Sequence, residues 1–127
     1  NETEETLNDT IKFMAKLPIH YASINYMTPL PGTELWDVAE QYGTVDKEKL
    51  EKINYLSDEP AFIPFGLTEE ILANKFREAY LKFYLNPKTI LRNIRAIRSR
   101  EDIKRILMAA TILFRIVYAK LLVRRKE

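Results

Sequence analysis

Apolar residues recur every three or four positions from Leu7 through Ile11 and Met14 to Leu17, so residues 3–17 are predicted to form an amphipathic helix that stops before Pro18. Thr3, Glu4 and Glu5 provide its start, with carboxylates facing the positive end of the helix dipole. From His20 to Met27 the period changes to two. Ala22, Ile24 and Tyr26 fall on one side and Tyr21, Ser23, Asn25 and Met27 on the other, the pattern of a strand. Thr28 to Thr33 (TPLPGT) reads as a turn, because two prolines fix backbone angles and Gly32 permits close backbone approach. Thr33 then caps a helix over Glu34 to Tyr42 that carries Leu35, Trp36 and Val38 inward. Gly43 closes it, where a left-handed residue is usual.

A second short helix is predicted over Asp46 to Ile53, followed by an irregular connector, Asn54 to Gly66, with an extended piece at Ala61 to Phe65. Thr68, Glu69 and Glu70 begin a longer helix whose stripe is Leu72, Phe76, Ala79, Tyr80 and Phe83. Asn86 and Pro87 open the next, to about Arg98, with Ile90, Leu91, Ile94 and Ile97 predicted inside and Lys88, Arg92 and Arg95 outside. Ser99 with Asp102 forms a near capping box for the last helix. That helix has one stripe through Ile103, Ile106, Leu107, Ala110, Phe114, Val117 and Leu121 and another through Met108, Ile112, Ile116, Ala119 and Val123, so it needs partners on both faces.

Composition narrows the chemistry. A chain of 127 residues with 46% hydrophobic and 30% charged residues has enough apolar material for one small globular domain. It contains no cysteine, which excludes disulfides, thiolate zinc sites and cysteine-ligated iron–sulfur clusters in these residues, and one histidine argues against a His-based metal cage. Charge is divided along the chain: residues 1–74 carry 5 bases and 14 acids, residues 75–127 carry 15 bases and 4 acids. The residues hold no secretory signal, so the expected location is the cytoplasm, with attachment to a membrane periphery as the variant. Starting directly on a helix cap at Asn1, the chain reads as an excised piece.

Few side chains stand out for catalysis. His20 could act as an acid, base or ligand, but a single strand-edge histidine is more often structural. Glu2, Glu4 and Glu5 are dipole partners first, and Glu34, Asp37 and Glu40 a solvated face. The bases Lys88, Arg92, Arg95, Arg98, Arg100, Lys104 and Arg105 could meet phosphates, but no aromatics interleave between residues 85 and 113, and nucleic acid is not the expected partner. Ile106 to Val123 invites a membrane reading; Arg115 and Lys120 disfavour a span, while lying on an anionic surface stays open beside packing within the protein or a dimer. Exposed strand edges and apolar helix faces also predict self-association.

The order of ETEET at Glu2 to Thr6, a helix, a strand, TPLPGTELW at Thr28 to Trp36, LTEEIL at Leu67 to Leu72 and FYLNPKTILRNIRAIRS at Phe83 to Ser99 resembles the C-terminal part of radical S-adenosylmethionine enzymes of the cobalamin-binding type. The nearest group is the anaerobic magnesium-protoporphyrin IX monomethyl ester oxidative cyclases. The resemblance implies an α/β, mostly helical piece: residues 1–43 as the end of a partial TIM-type barrel (helix, strand, turn, helix) and residues 44–127 as a helical C-terminal extension. It implies that Tyr26, Thr28, Pro29, Leu30 and Gly32 line the cofactor or substrate mouth. It further implies a parent oxidoreductase of porphyrin biosynthesis with a [4Fe-4S] cluster, S-adenosylmethionine and cobalamin, the partners being the remainder of the barrel and the cobalamin-binding domain. The cluster motif, the glycine-rich adenosylmethionine segment and the cobalamin domain are absent here, so this piece is not catalytic by itself. The competing expectation is a non-enzymatic helical module that binds an anionic membrane or a protein partner through its basic tail.

Overall fold

The computed structural model describes residues 2–51 and 59–123, apart from the side chains of residues 109, 112 and 115–123. In chain order the elements are α1 (Glu4–Lys16), α2 (Glu34–Tyr42), β1 (Gly43–Val45), α3 (Lys47–Glu51), β2 (Phe62–Pro64), α4 (Glu69–Tyr84), α5 (Pro87–Arg95) and α6 (Arg100–Val123). The fold of these residues is mostly helical, with a two-stranded antiparallel sheet.

The helix starts form where the sequence places their caps. At α1 the Thr3 hydroxyl accepts from the Thr6 amide at 3.2 Å, and the Thr6 hydroxyl accepts from the Thr3 amide at 2.9 Å, satisfying two of the four donors that a helix N-terminus leaves open. Thr33, Thr68 and Asn86 cap α2, α4 and α5 through their side-chain oxygens. At α6 the Ser99 hydroxyl accepts from the Asp102 amide, and the Asp102 carboxylate accepts from the Arg98 and Ser99 amides.

α1 and α4 make the main packing pair, burying Ile11 on one and Leu72, Ala79 and Phe83 on the other. Polar side chains set their direction. Lys75 reaches Glu4 and Asn8 at 3.2 and 2.7 Å, and Asn86 donates to the Ala15 carbonyl at 3.0 Å, so the two helices run the same way. Arg92 donates to the carbonyls of Leu17 (3.4 Å) and Ile19 (2.7 Å). The carbonyls that α1 leaves open at its end are therefore met by an amide and a cation, the charge that a helix C-terminus favours.

Three sequence expectations are corrected here. Gly43 is not a left-handed cap; its backbone is fully extended and it begins β1, pairing with Pro64 in a register that continues Thr44 with Ile63 and Val45 with Phe62. What requires glycine is space: a Cβ at position 43 would run into the Ile63 carbonyl and come within 2.7 Å of the Phe62 ring. The segment His20 to Met27 keeps its predicted alternation, with Ala22, Ile24 and Tyr26 half-buried and Tyr21, Ser23, Asn25 and Met27 exposed, yet among the described residues it joins no backbone ladder. The partial barrel is therefore not seen in these residues, whose sheet is antiparallel where a barrel's strands run parallel.

The third correction is at α5, which is turned about relative to the expectation. Thr89 is fully buried and Arg92 and Asn93 are half-buried, while Ile90, Leu91, Ile94 and Ile97 face solvent. The reason is the demand of α1 and the following loop for donors: Arg92 and Asn93 supply them, and a helix that points these inward must point residues on its opposite face out. On α6, Ile106 and Leu113 are half-buried, whereas Ile103, Leu107, Met108, Ala110 and Phe114 are exposed. The predicted positions Ile112, Ile116, Val117, Ala119, Leu121 and Val123 lie outside the described side chains. Among the described residues no helix is long and apolar enough to cross a membrane.

Candidate functional site

The extended segment from His20 to Met27 lies antiparallel along α4 and is held by side chains rather than by a sheet. The Tyr84 hydroxyl accepts from the Ala22 amide at 3.2 Å and donates to the Ala22 carbonyl at 3.0 Å. One helical turn earlier, the Tyr80 hydroxyl does the same with Ile24, at 3.4 and 3.2 Å. A further turn back, the Phe76 ring stacks on Tyr26 with centroids 4.7 Å apart. Phe76, Tyr80 and Tyr84 touch one another in sequence, at 5.0 and 6.0 Å between centroids, so the ladder is braced along its length.

The match is one of periods. Four residues of helix rise about 6.0 Å and two residues of strand about 6.6–6.8 Å, so hydroxyls at i and i+4 can meet alternate residues of an extended chain. Asn93 on α5 extends the series by one more even position, donating to the His20 carbonyl at 3.2 Å while its oxygen lies 2.9 Å from His20 Nδ1. Burial pushes the Tyr84 hydroxyl above its ordinary value, which keeps it protonated and able to donate.

In an extended chain the amide and carbonyl of one residue point to the same edge, and successive residues alternate edges. The even edge, at His20, Ala22, Ile24 and Tyr26, carries hydrogen bonds at every residue. The odd edge does not. Among the described residues the backbone groups of Tyr21, Ser23, Asn25 and Met27 have no protein partner, and their side chains are exposed. This edge is a row of donors and acceptors at strand spacing, already straightened by the ladder behind it.

The segment ends in the turn. Thr33 N–H donates to the Leu30 carbonyl at 3.2 Å across Pro31 and Gly32, and Gly32 sits at φ 83°, the left-handed value that the third position of such a turn demands. Thr33 Oγ1 donates to the same carbonyl at 2.7 Å while accepting from the Trp36 amide, so turn and helix start share one side chain. Of the residues expected at a ligand mouth, Pro29 is fully buried, Tyr26 and Thr28 are half-buried, and Leu30 and Gly32 are exposed. Thr28 donates back to the Tyr26 carbonyl at 3.3 Å. His20 is held by Asn93 and borders a shallow depression of about 110 Å³ with Asp102 and Arg105.

Sequence reasoning missed Tyr84, Arg92 and Asn93 as positioning residues. The Tyr80 and Tyr84 spacing was a usable signal; Arg92 and Asn93 gave none, because their targets lie more than seventy positions away in the chain. Among the described residues no group of three or more His, Cys, Asp or Glu side chains is placed to hold a metal ion.

Comparison with known proteins gives one anchor. A curated protein of Pyrococcus horikoshii, named an uncharacterized methyltransferase, is 36% identical over 94 residues. The match covers 74% of this chain and 20% of that protein, so the chain spans about a fifth of the length of the curated relative it matches. No family model matches, and no solved structure matches. The relative's name corrects the resemblance to radical S-adenosylmethionine cyclases: it points to methyl transfer, and it carries nothing of a radical mechanism, an iron–sulfur centre or tetrapyrrole cyclisation.

Proposed function

We propose that this chain is a scaffold region of a longer methyltransferase, and that it contributes residues 20–27 as an edge strand on which another part of that protein completes a sheet. The observation that carries the reading is the asymmetry of the segment: every even residue is tied to α4, α5 or the turn, and every odd residue presents its backbone outward. An extended chain held straight by side chains on one edge has lost the entropy that strand pairing would otherwise cost, so the open edge favours main-chain addition. The similarity to a protein named a methyltransferase, of which this chain spans a fifth, supports the activity and the larger partner. In this reading the Leu30 to Gly32 turn stands at the end of the completed sheet, where Leu30 and Gly32 contribute to the mouth of a site for methyl donor or acceptor.

Amide hydrogen exchange tests it. In the longer protein the Tyr21, Ser23 and Asn25 amides are expected to exchange slowly, and in the isolated chain rapidly, while Ala22 and Ile24 are protected in both. Ser23→Pro removes one outward donor and leaves the tyrosine contacts untouched. It is expected to leave the thermal midpoint of the isolated chain within about 2 °C and to lower methyl transfer by the longer protein. Rapid exchange at Tyr21, Ser23 and Asn25 in the longer protein would overturn the proposal.

A further inference from the structure

The orientation of α5 leaves an unusual surface. Thr89 and Leu91 are roughly 200° apart around the helix at about 100° per residue, and it is the threonine that is buried. Leu91 and Ile94, neighbours three positions apart on one side of the helix, are 47% and 57% exposed. Scattered apolar residues on a surface need no explanation, but a contiguous helical stripe does.

The charges beside the stripe are of one sign. From Leu85 to Arg100 there is no acidic residue, and Lys88, Arg95, Arg98 and Arg100 are exposed and form no ion pair among the described residues. Lys88 and Arg95 fall along one flank of the Leu91 and Ile94 stripe by helical spacing. This contrasts with α4, where Lys75 and Lys82 both pair with Glu78. Arg92 of α5 is spent on the Leu17 and Ile19 carbonyls, whereas Lys88 and Arg95 meet no anion among the described residues.

We propose that the outer face of α5 docks on an anionic lipid surface. The helix would lie in the interface plane, with Leu91 and Ile94 entering the acyl boundary and Lys88 and Arg95 meeting lipid phosphates. Aliphatic anchors flanked by cations match that interface in both its layers. A second copy of the chain meeting this face symmetrically would bring a patch whose charges are all positive against the same patch, which is repulsive. Single-stranded nucleic acid is recognised by stacking, and the exposed apolar side chains of α5 are aliphatic. A helix that lies on the surface also agrees with the absence of a membrane-crossing helix among the described residues.

Sedimentation of the chain with vesicles of phosphatidylcholine alone, or of phosphatidylcholine with phosphatidylserine, tests the proposal. Binding is expected to favour the anionic vesicles by at least about tenfold at low salt and to fall at high salt. Lys88→Glu combined with Arg95→Glu is expected to remove that preference. Ile94→Ser is expected to weaken binding to anionic vesicles with the far-ultraviolet circular dichroism unchanged, since Ile94 is 57% exposed. Equal binding to both vesicle types, no binding to either, or a dimer in sedimentation equilibrium that Ile94→Ser dissociates would each overturn it.

Discussion

Replacing Tyr84 by Phe removes one oxygen and nothing else, and so isolates what holds the extended segment. The hydroxyl donates to the Ala22 carbonyl at 3.0 Å and accepts from the Ala22 amide at 3.2 Å. Each such bond is worth about 1 kcal/mol net, and Ala22 is only half-buried, so water repairs part of the loss; the expected destabilisation is roughly 1–2 kcal/mol. For a chain of this length that lowers the midpoint by roughly 4–8 °C. Tyr80→Phe should cost less, because its bonds to Ile24 are longer, at 3.4 and 3.2 Å. Urea unfolding followed by circular dichroism reads both variants and, with the double variant, their coupling. A pH series adds an independent sign. Burial raises the Tyr84 value in the folded chain above the 10.0 of an exposed phenol, so its contribution is complete below pH 10.0 and is lost as pH climbs through the folded value. Tyr84→Phe should abolish that part of the alkaline decline. A change below about 0.3 kcal/mol in Tyr84→Phe, or the reverse ranking of the two variants, would refute the ladder as the element that positions residues 20–27.

Other consequences can be checked in the same preparations. Gly43→Ala forces a methyl group into the Phe62 ring and the Ile63 carbonyl and should cost about 1–3 kcal/mol in urea unfolding. Arg92→Met keeps an apolar stem but withdraws the donors from Leu17 and Ile19; proteolysis of the residue 17–20 linker should accelerate by about tenfold. Asp102 is held below its ordinary carboxyl value first by the Arg98 amide and then by Ser99, so its contribution to the start of α6 is present above pH 3.8 and lost as pH falls through the lower folded value. Carbon-13 titration of its side chain should show that lowered midpoint, and Asp102→Asn should remove the acid dependence of α6 helicity.

Local signals carried far in this chain. Thr3, Thr33, Thr68, Asn86 and Ser99 each stand at a helix start, because a cap is a hydrogen bond between residues two or three apart and needs no tertiary partner. The alternation from His20 to Met27 and the extended piece near Phe62 were legible for the same reason. The rotation of α5 was not. Its apolar stripe reads as a core face only if burial decides, and here two polar side chains decided instead, by supplying donors to carbonyls at Leu17, Ile19 and His20. The role of Gly43 was hidden similarly: the residue was conspicuous, but whether it served a positive φ or a close contact depended on Phe62 and Ile63.

What the residues determined by themselves, then, is where helices begin, which stretch is extended and which side of that stretch faces inward. These follow from hydrogen bonds and periodicities that span a few positions. Tertiary structure alone decided that the extended stretch is held by tyrosine hydroxyls in place of a neighbouring strand, and that α5 shows solvent its apolar face. Both depend on side chains meeting backbone groups 56 to 75 residues away, and no local pattern encodes such a meeting.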